Sequence, residues 1–141
     1  MDFTKEILLK VIEYVEENIE GELYLDTLSR VSGYSKWHLQ KVFKKKFGMN
    51  LGAYIRKRRL SKAAILLKQS KLGILDISLV AGFCSQQAFS RSFKIFYGKT
   101  PSEFRKSKEW DFSKQFPPYS FGAINFFFYQ VSMPIDTGCL K

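Results

Sequence analysis

Two sets of polar side chains recur at helical spacing. Trp37, Gln40 and Lys41 are followed by Lys44 and Lys45, and Gln86, Gln87, Ser90 and Arg91 are followed by Lys94. Residues three and four apart share a helix face, so each set lines one side of a helix. Leu39, Val42, Phe43 and Phe47 form the apolar side of the first; Phe89, Phe93, Phe96 and Tyr97 form that of the second. The exposed chemistry suits the edges of base pairs. A glutamine amide can bond N6 and N7 of adenine, arginine or lysine can reach O6 and N7 of guanine, and Trp37 offers apolar surface for thymine methyls. Trp37, Gln40, Lys41, Gln86, Gln87, Ser90 and Arg91 are therefore the base-proximal candidates. Ser35, Lys36, Lys44, Lys45, Arg56 and Lys94 are candidates for phosphates, contacts that position a protein without specifying sequence. Each has a plainer alternative: Trp37 as a half-buried packing residue, the glutamines and Arg91 as solvated polar surface, His38 as a bystander. Lys44, Lys45 and Lys46 cannot all face one way, because consecutive helical residues point about 100° apart.

Other chemistries find little support. The sequence holds no nucleophile–base pair, glycine-rich phosphate loop or metal-ligand cluster, so no enzyme activity, cofactor or metal is expected. Cys84 and Cys139 form no CxxC pair, and two thiols in a cytosolic chain are expected to be unpaired. No apolar run approaches the roughly 18 residues of a membrane span. The acidic amino terminus lacks the basic start and apolar run of a secretory signal, so a cytoplasmic location is expected.

The formal net charge of +10 over 141 residues is unevenly spread. From Met1 to Asp26 the acids Asp2, Glu6, Glu13, Glu16, Glu17, Glu20, Glu22 and Asp26 outweigh Lys5 and Lys10. From Val31 to Leu75 there is no acid, while lysines and arginines run from Lys36 through Arg56–Arg59 to Lys71. A basic region of this kind suits a polyanion, because each neutralised phosphate releases counterions. Some of Arg56–Arg59 should pair instead with the acids of the first helix.

The elements that must position these residues are all helical. Apolar residues Leu8, Val11, Ile12, Val15 and Ile19 predict a helix over 4–20, with Gly21 as its stop. Short helices are expected over 25–32, before Gly33, and over 74–81, before Gly82. Ser35 and Ser85 can cap longer helices ending at Gly48 and Gly98. A connecting helix over 50–69 lies between. Thr100, Pro101 and Glu103 form a capping signal for a last helix reaching about Lys106. The two short–long pairs are an internal repeat. Leu28, Val31, Gly33 and Tyr34 match Ile77, Val80, Gly82 and Phe83 at an offset of 49. Ser35, Leu39, Phe43, Lys44, Phe47 and Gly48 match Ser85, Phe89, Phe93, Lys94, Tyr97 and Gly98 at an offset of 50. A short helix, a glycine turn and a longer helix make a helix-turn-helix. Two such units, about 25–48 and 74–98, are joined by roughly 18 helical residues that span about 27 Å, close to the roughly 34 Å between successive major grooves on one duplex face.

The stretches GYSKWHLQKVFKKKFG, LGAYIRKRRLSKAA and ILDISLVAGFCSQQAFSRSFKIFYGKTPSEFRK resemble the AraC/XylS family, in particular its small activators of the MarA, SoxS and Rob type. The match runs from about Ile7 to Trp110. It implies an all-α DNA-binding domain over 4–108 that reads double-stranded DNA as a monomer, at a degenerate asymmetric promoter site. It also implies engagement of RNA polymerase and activation of stress, efflux and antibiotic-tolerance genes, with Trp37, Gln40, Lys41, Gln86, Gln87, Ser90 and Arg91 near bases. Two positions depart from the pattern. Lys41 replaces an arginine and so loses a bidentate fork. Cys84 replaces an acid, and cysteine caps a helix poorly, so a second unit that is looser, or differently oriented on DNA, is expected.

Residues 109–141 change character. Pro117 and Pro118 end any helix, and the aromatic run 119–131 favours strand. This tail resembles a linker and the opening strand of a second domain, cut short. An unpaired apolar strand must dock or risk aggregation, against the helical domain or another chain, unless it is a relic of truncation. Two competing readings remain: a non-specific nucleic-acid binder that uses only the lysines, and a protein-interaction module antagonising a fuller homologue.

Overall fold

Three helix starts in this chain, those of the two long repeat helices and of the last helix, are set by short hydroxyl side chains. A computed structural model describes residues 3–108 and 114–116, which form seven helices and no strand. They are α1 (Phe3–Glu17), α2 (Leu25–Ser32), α3 (Lys36–Phe47), α4 (Leu51–Gln69), α5 (Ile74–Val80), α6 (Gln86–Tyr97) and α7 (Pro101–Lys106). Ser35 Oγ accepts the backbone N–H of His38 at 3.1 Å, and Ser85 Oγ that of Ala88 at 3.0 Å, satisfying first-turn donors of the two long repeat helices. Thr100 and Glu103 form a reciprocal capping box around Pro101. Each long repeat helix ends on a glycine with positive φ, Gly48 at 71° and Gly98 at 80°, the left-handed conformation in which a missing Cβ avoids a clash.

One expected boundary shifts. α1 stops at Glu17, three residues short of the prediction, and Asn18 Nδ2 donates to the Tyr14 carbonyl at 2.8 Å. That side-chain bond satisfies a last-turn carbonyl before Gly21 is reached. α4 ends at Gln69, as expected, where Ser70 Oγ donates to Leu66 O, and Gly73 precedes α5 as its N-cap.

α1, α2 and α3 form one unit; α5, α6 and α7 form the other. The first buries Leu8, Val15, Leu28, Leu39, Phe43 and Phe47. The second is almost wholly aromatic. Phe89 meets Phe83 at 5.3 Å and Phe93 at 5.6 Å, and Phe93 meets Phe104 at 5.3 Å and stacks on Tyr97 at 4.5 Å, within the range where ring pairs attract. α4 packs against helices of both units and is buried on most of its circumference. At its start Tyr54 meets Phe43 of α3 at 5.6 Å. At its end Arg105 of α7 donates to the otherwise unsatisfied Leu67 carbonyl at 3.0 Å.

Most of the tail, including the expected strand at 119–131, lies outside the described residues. Lys114–Phe116 are described, and Gln115 and Phe116 return to α4. The Phe116 N–H donates to Ser61 Oγ at 2.9 Å and Gln115 Nε2 to Ser61 O at 3.0 Å, while Tyr97 hydroxyl donates to Gln115 Oε1. The Phe116 ring is buried beside Tyr54, 6.0 Å away.

Candidate nucleic-acid interface

The apolar faces of α3 and α6 are turned inward by the cores just described, which leaves their polar faces outward. On α3, Trp37 is 69% exposed, so it does not serve as a packing residue within this chain. Lys41 Nζ sits 4.8 Å from its ring centroid, a cation–π contact that holds two base-proximal candidates together. Gln40, Lys44 and Lys45 are exposed beside them. On α6, Gln86, Gln87, Arg91 and Lys94 are exposed and Ser90 is half-buried at the edge of the same face. Arg56, on α4, is half-buried and away from both clusters in sequence.

Two phosphate candidates already have work within the fold. Ser35 caps α3 through its oxygen, leaving its hydroxyl hydrogen to donate elsewhere. Lys36 forms an ion pair with Asp26 of α2 across the turn; both partners are exposed, so a phosphate could displace the carboxylate at small cost. His38 lies edge-on to Tyr34 at 4.7 Å. The expectation about Cys84 is corrected in two ways. Ser85, not Cys84, caps α6, so the replacement of an acid at residue 84 leaves the cap intact. Cys84 is also disulfide-bonded rather than a free thiol; it is exposed in the turn before α6, and its partner lies outside the described residues.

Sequence reasoning foresaw that some cations of α4 pair with the first helix, but not which of them or how deeply they are buried. Within the acid-free segment Lys57, Arg58 and Arg59 are buried, so they add nothing to a surface for polyanions. Arg58 grips Glu16 of α1 with Nε to Oε1 at 2.6 Å and Nη2 to Oε2 at 2.8 Å, and its Nη1 donates to the Phe116 carbonyl. This realises the expected pairing with the first helix, in the bidentate form that fits guanidinium to carboxylate. Arg59 donates to the Ile19 carbonyl at 3.0 Å and the Gly21 carbonyl at 2.8 Å. Lys57 lies 5.4 Å from the Phe116 ring centroid, and burial pulls its pKa down to about 8. Burial likewise lowers the Arg59 pKa and raises that of the Tyr97 hydroxyl. The near-uniform burial of α4 explains why their identity was not read: a run of cations gives no periodic sign of which members turn inward.

Among the described residues no group of histidine, cysteine or acidic side chains could hold a metal ion, and no helix is long and apolar enough to cross a membrane. What the surface offers is two similarly built polar helix faces, suited to groove edges and phosphates.

Known proteins share this design. The family model described as a helix-turn-helix domain matches residues 28–107. The chain is 44% identical over 105 residues to the HTH-type transcriptional activator AarP of Providencia stuartii, covering 74% of this chain and 78% of AarP. It is 43% identical over 118 residues to the transcriptional regulator Rob of Salmonella typhimurium, covering 84% of this chain but only 41% of Rob, so it spans less than half the length of that relative. A solved AraC-type transcriptional regulator from Chromobacterium violaceum aligns with a TM-score of 0.66 at 32% identity, covering 71% of this chain and 89% of that one. Repeat, fold and relatives agree: this chain belongs to the AraC-type helix-turn-helix family of DNA-binding transcription regulators, which are not enzymes.

Proposed function

We propose that the chain acts as a monomer, inserting α3 and α6 into adjacent major grooves on one face of a duplex and activating transcription from degenerate, asymmetric promoter sites. The observation that carries this reading is the placement of two equivalent outward faces on units held at opposite ends of one buried helix. The 19 residues of α4 span about 28 Å, near the groove repeat of about 34 Å. Trp37, Gln40 and Lys41 read one groove and Gln86, Gln87, Ser90 and Arg91 the next, while Ser35, Lys36, Lys44, Lys45, Arg56 and Lys94 hold phosphates. Activation proceeds through RNA polymerase in the cytoplasm. The controlled genes are those of stress, efflux and antibiotic tolerance, as the likeness to the MarA, SoxS and Rob type implies; AarP, a named activator, supports the sign of regulation.

Sequencing genomic fragments captured by the protein should return a bipartite site, and footprinting should protect two neighbouring grooves on one face. Protection of a single groove refutes the two-unit reading. Equal affinity for the recovered site and scrambled DNA at the same salt concentration makes the chain a non-specific binder instead.

A further inference from the structure

The glycine turns of the two units, Gly33 and Gly82, occupy equivalent repeat positions with nearly equal φ, 74° and 75°. Their surroundings differ. A Cβ on Gly33 meets nothing within 4 Å, whereas one on Gly82 falls 2.5 Å from Arg59 Cζ. The second turn is therefore seated directly on a guanidinium that belongs to α4. That guanidinium is bonded on its other edges to the Ile19 and Gly21 carbonyls, which follow α1 in the first unit. One buried side chain thus touches both units and the helix between them.

We propose that Arg59 is a positioning residue for DNA recognition: its guanidinium braces the first unit against the second and so fixes the half-site spacing that the protein accepts. The planar group suits this task. It is rigid, its donors leave in fixed directions, and two backbone carbonyls set its orientation, so the surface offered to Gly82 is fixed as well. Affinity for two half-sites on one duplex exceeds that for either alone only if the second contact is made without deforming protein or DNA. A brace that removes rotation between units raises affinity at one spacing and lowers it at all others. The inference rests on both units binding one duplex, as proposed above.

The test compares the full chain with Arg59→Met and Arg59→Lys. Three duplex types are needed: the recovered bipartite site, the same site with either half scrambled, and versions with the spacer changed by one base pair. Residual dipolar couplings of backbone amides, recorded without DNA, report the relative alignment of α1–α3 and α5–α7. Arg59→Met should weaken the bipartite site about tenfold, flatten the spacer preference, leave each half-site within about twofold, and give the two units different alignment tensors. Arg59→Lys should fall between, and it carries the comparison if the methionine variant does not fold. Equal losses on half-sites and bipartite site, or an unchanged common alignment tensor, overturn the proposal. Should the native protein itself show no gain from the second half-site, the two-unit reading fails, and the alignment tensors alone then decide whether Arg59 braces the units.

Discussion

The two units share a plan and differ in what they present. At equivalent positions α3 carries Trp37, Lys41, Lys44 and Lys45 where α6 carries Gln87, Arg91, Lys94 and Ile95, and the last is 50% exposed. The first face is rich in flexible point charges, suited to phosphates anywhere on a duplex. The second combines glutamines with a guanidinium fork, suited to particular base edges. Their turns differ too. In the first, Ser32 Oγ donates to Ser29 O at 3.0 Å and accepts the Tyr34 N–H at 3.1 Å, closing the turn with local side chains. In the second, the residue equivalent to Ser32 is Ala81, and the turn leans on Arg59 from outside the unit. Under the proposed function, duplication of one scaffold would divide the labour, with affinity weighted towards the first unit and base choice towards the second, though both units read bases.

The contrast between the turns is the one expected to show the largest effect. Gly33→Ala should cost about 1 kcal/mol, the strain of an L residue at positive φ. Gly82→Ala should cost about 3 kcal/mol, because the new Cβ must also dislodge a guanidinium held by two carbonyls. Urea unfolding of both variants measures the difference; equal losses would show that Arg59 yields freely and that the turns are alike.

The contrast between the faces comes next. Arg91→Ala should weaken the specific site by about 1–3 kcal/mol and relax base choice, with little change on scrambled DNA. Competition binding on both duplexes checks it, and parallel losses would remove the reading role of α6. Lys44→Ala should weaken all duplexes alike and reduce the salt slope by about one phosphate; a salt titration that leaves the slope unchanged would place Lys44 away from the backbone.

The smallest effect isolates the helix that belongs to neither face. Burial lowers the pKa of Lys57 from 10.5 to about 8. Between those values the unfolded chain holds the proton and the folded chain does not, so stability gains with rising pH; below about pH 8 the cost of the buried charge is constant. The stability of the native protein relative to Lys57→Met should therefore increase from pH 7 to pH 10. Denaturant titrations at the two pH values test this, and a flat difference would mean that the ammonium is better solvated than its burial implies.

Much of this architecture is written locally. Ser35, Ser85, Thr100 and the positive-φ glycines Gly33, Gly48, Gly82 and Gly98 mark boundaries because capping and left-handed backbone are decided within a few residues. The alternation of apolar and polar residues on α3 and α6 set which faces turn out, since a helix of known phase against a core has one orientation. The internal repeat then made the helix-turn-helix pairs legible without any relative. Where Arg56–Arg59 point was not legible in the same way. Those cations lie on a helix largely surrounded by protein, and the partners of Arg58 and Arg59, namely Glu16 and the Phe116, Ile19 and Gly21 carbonyls, are some forty to sixty residues away in sequence. A charge is tolerated inside only where distant groups converge to satisfy it. That convergence exists once the chain has folded, so tertiary structure alone decided that part of the basic segment braces the molecule and part faces outward.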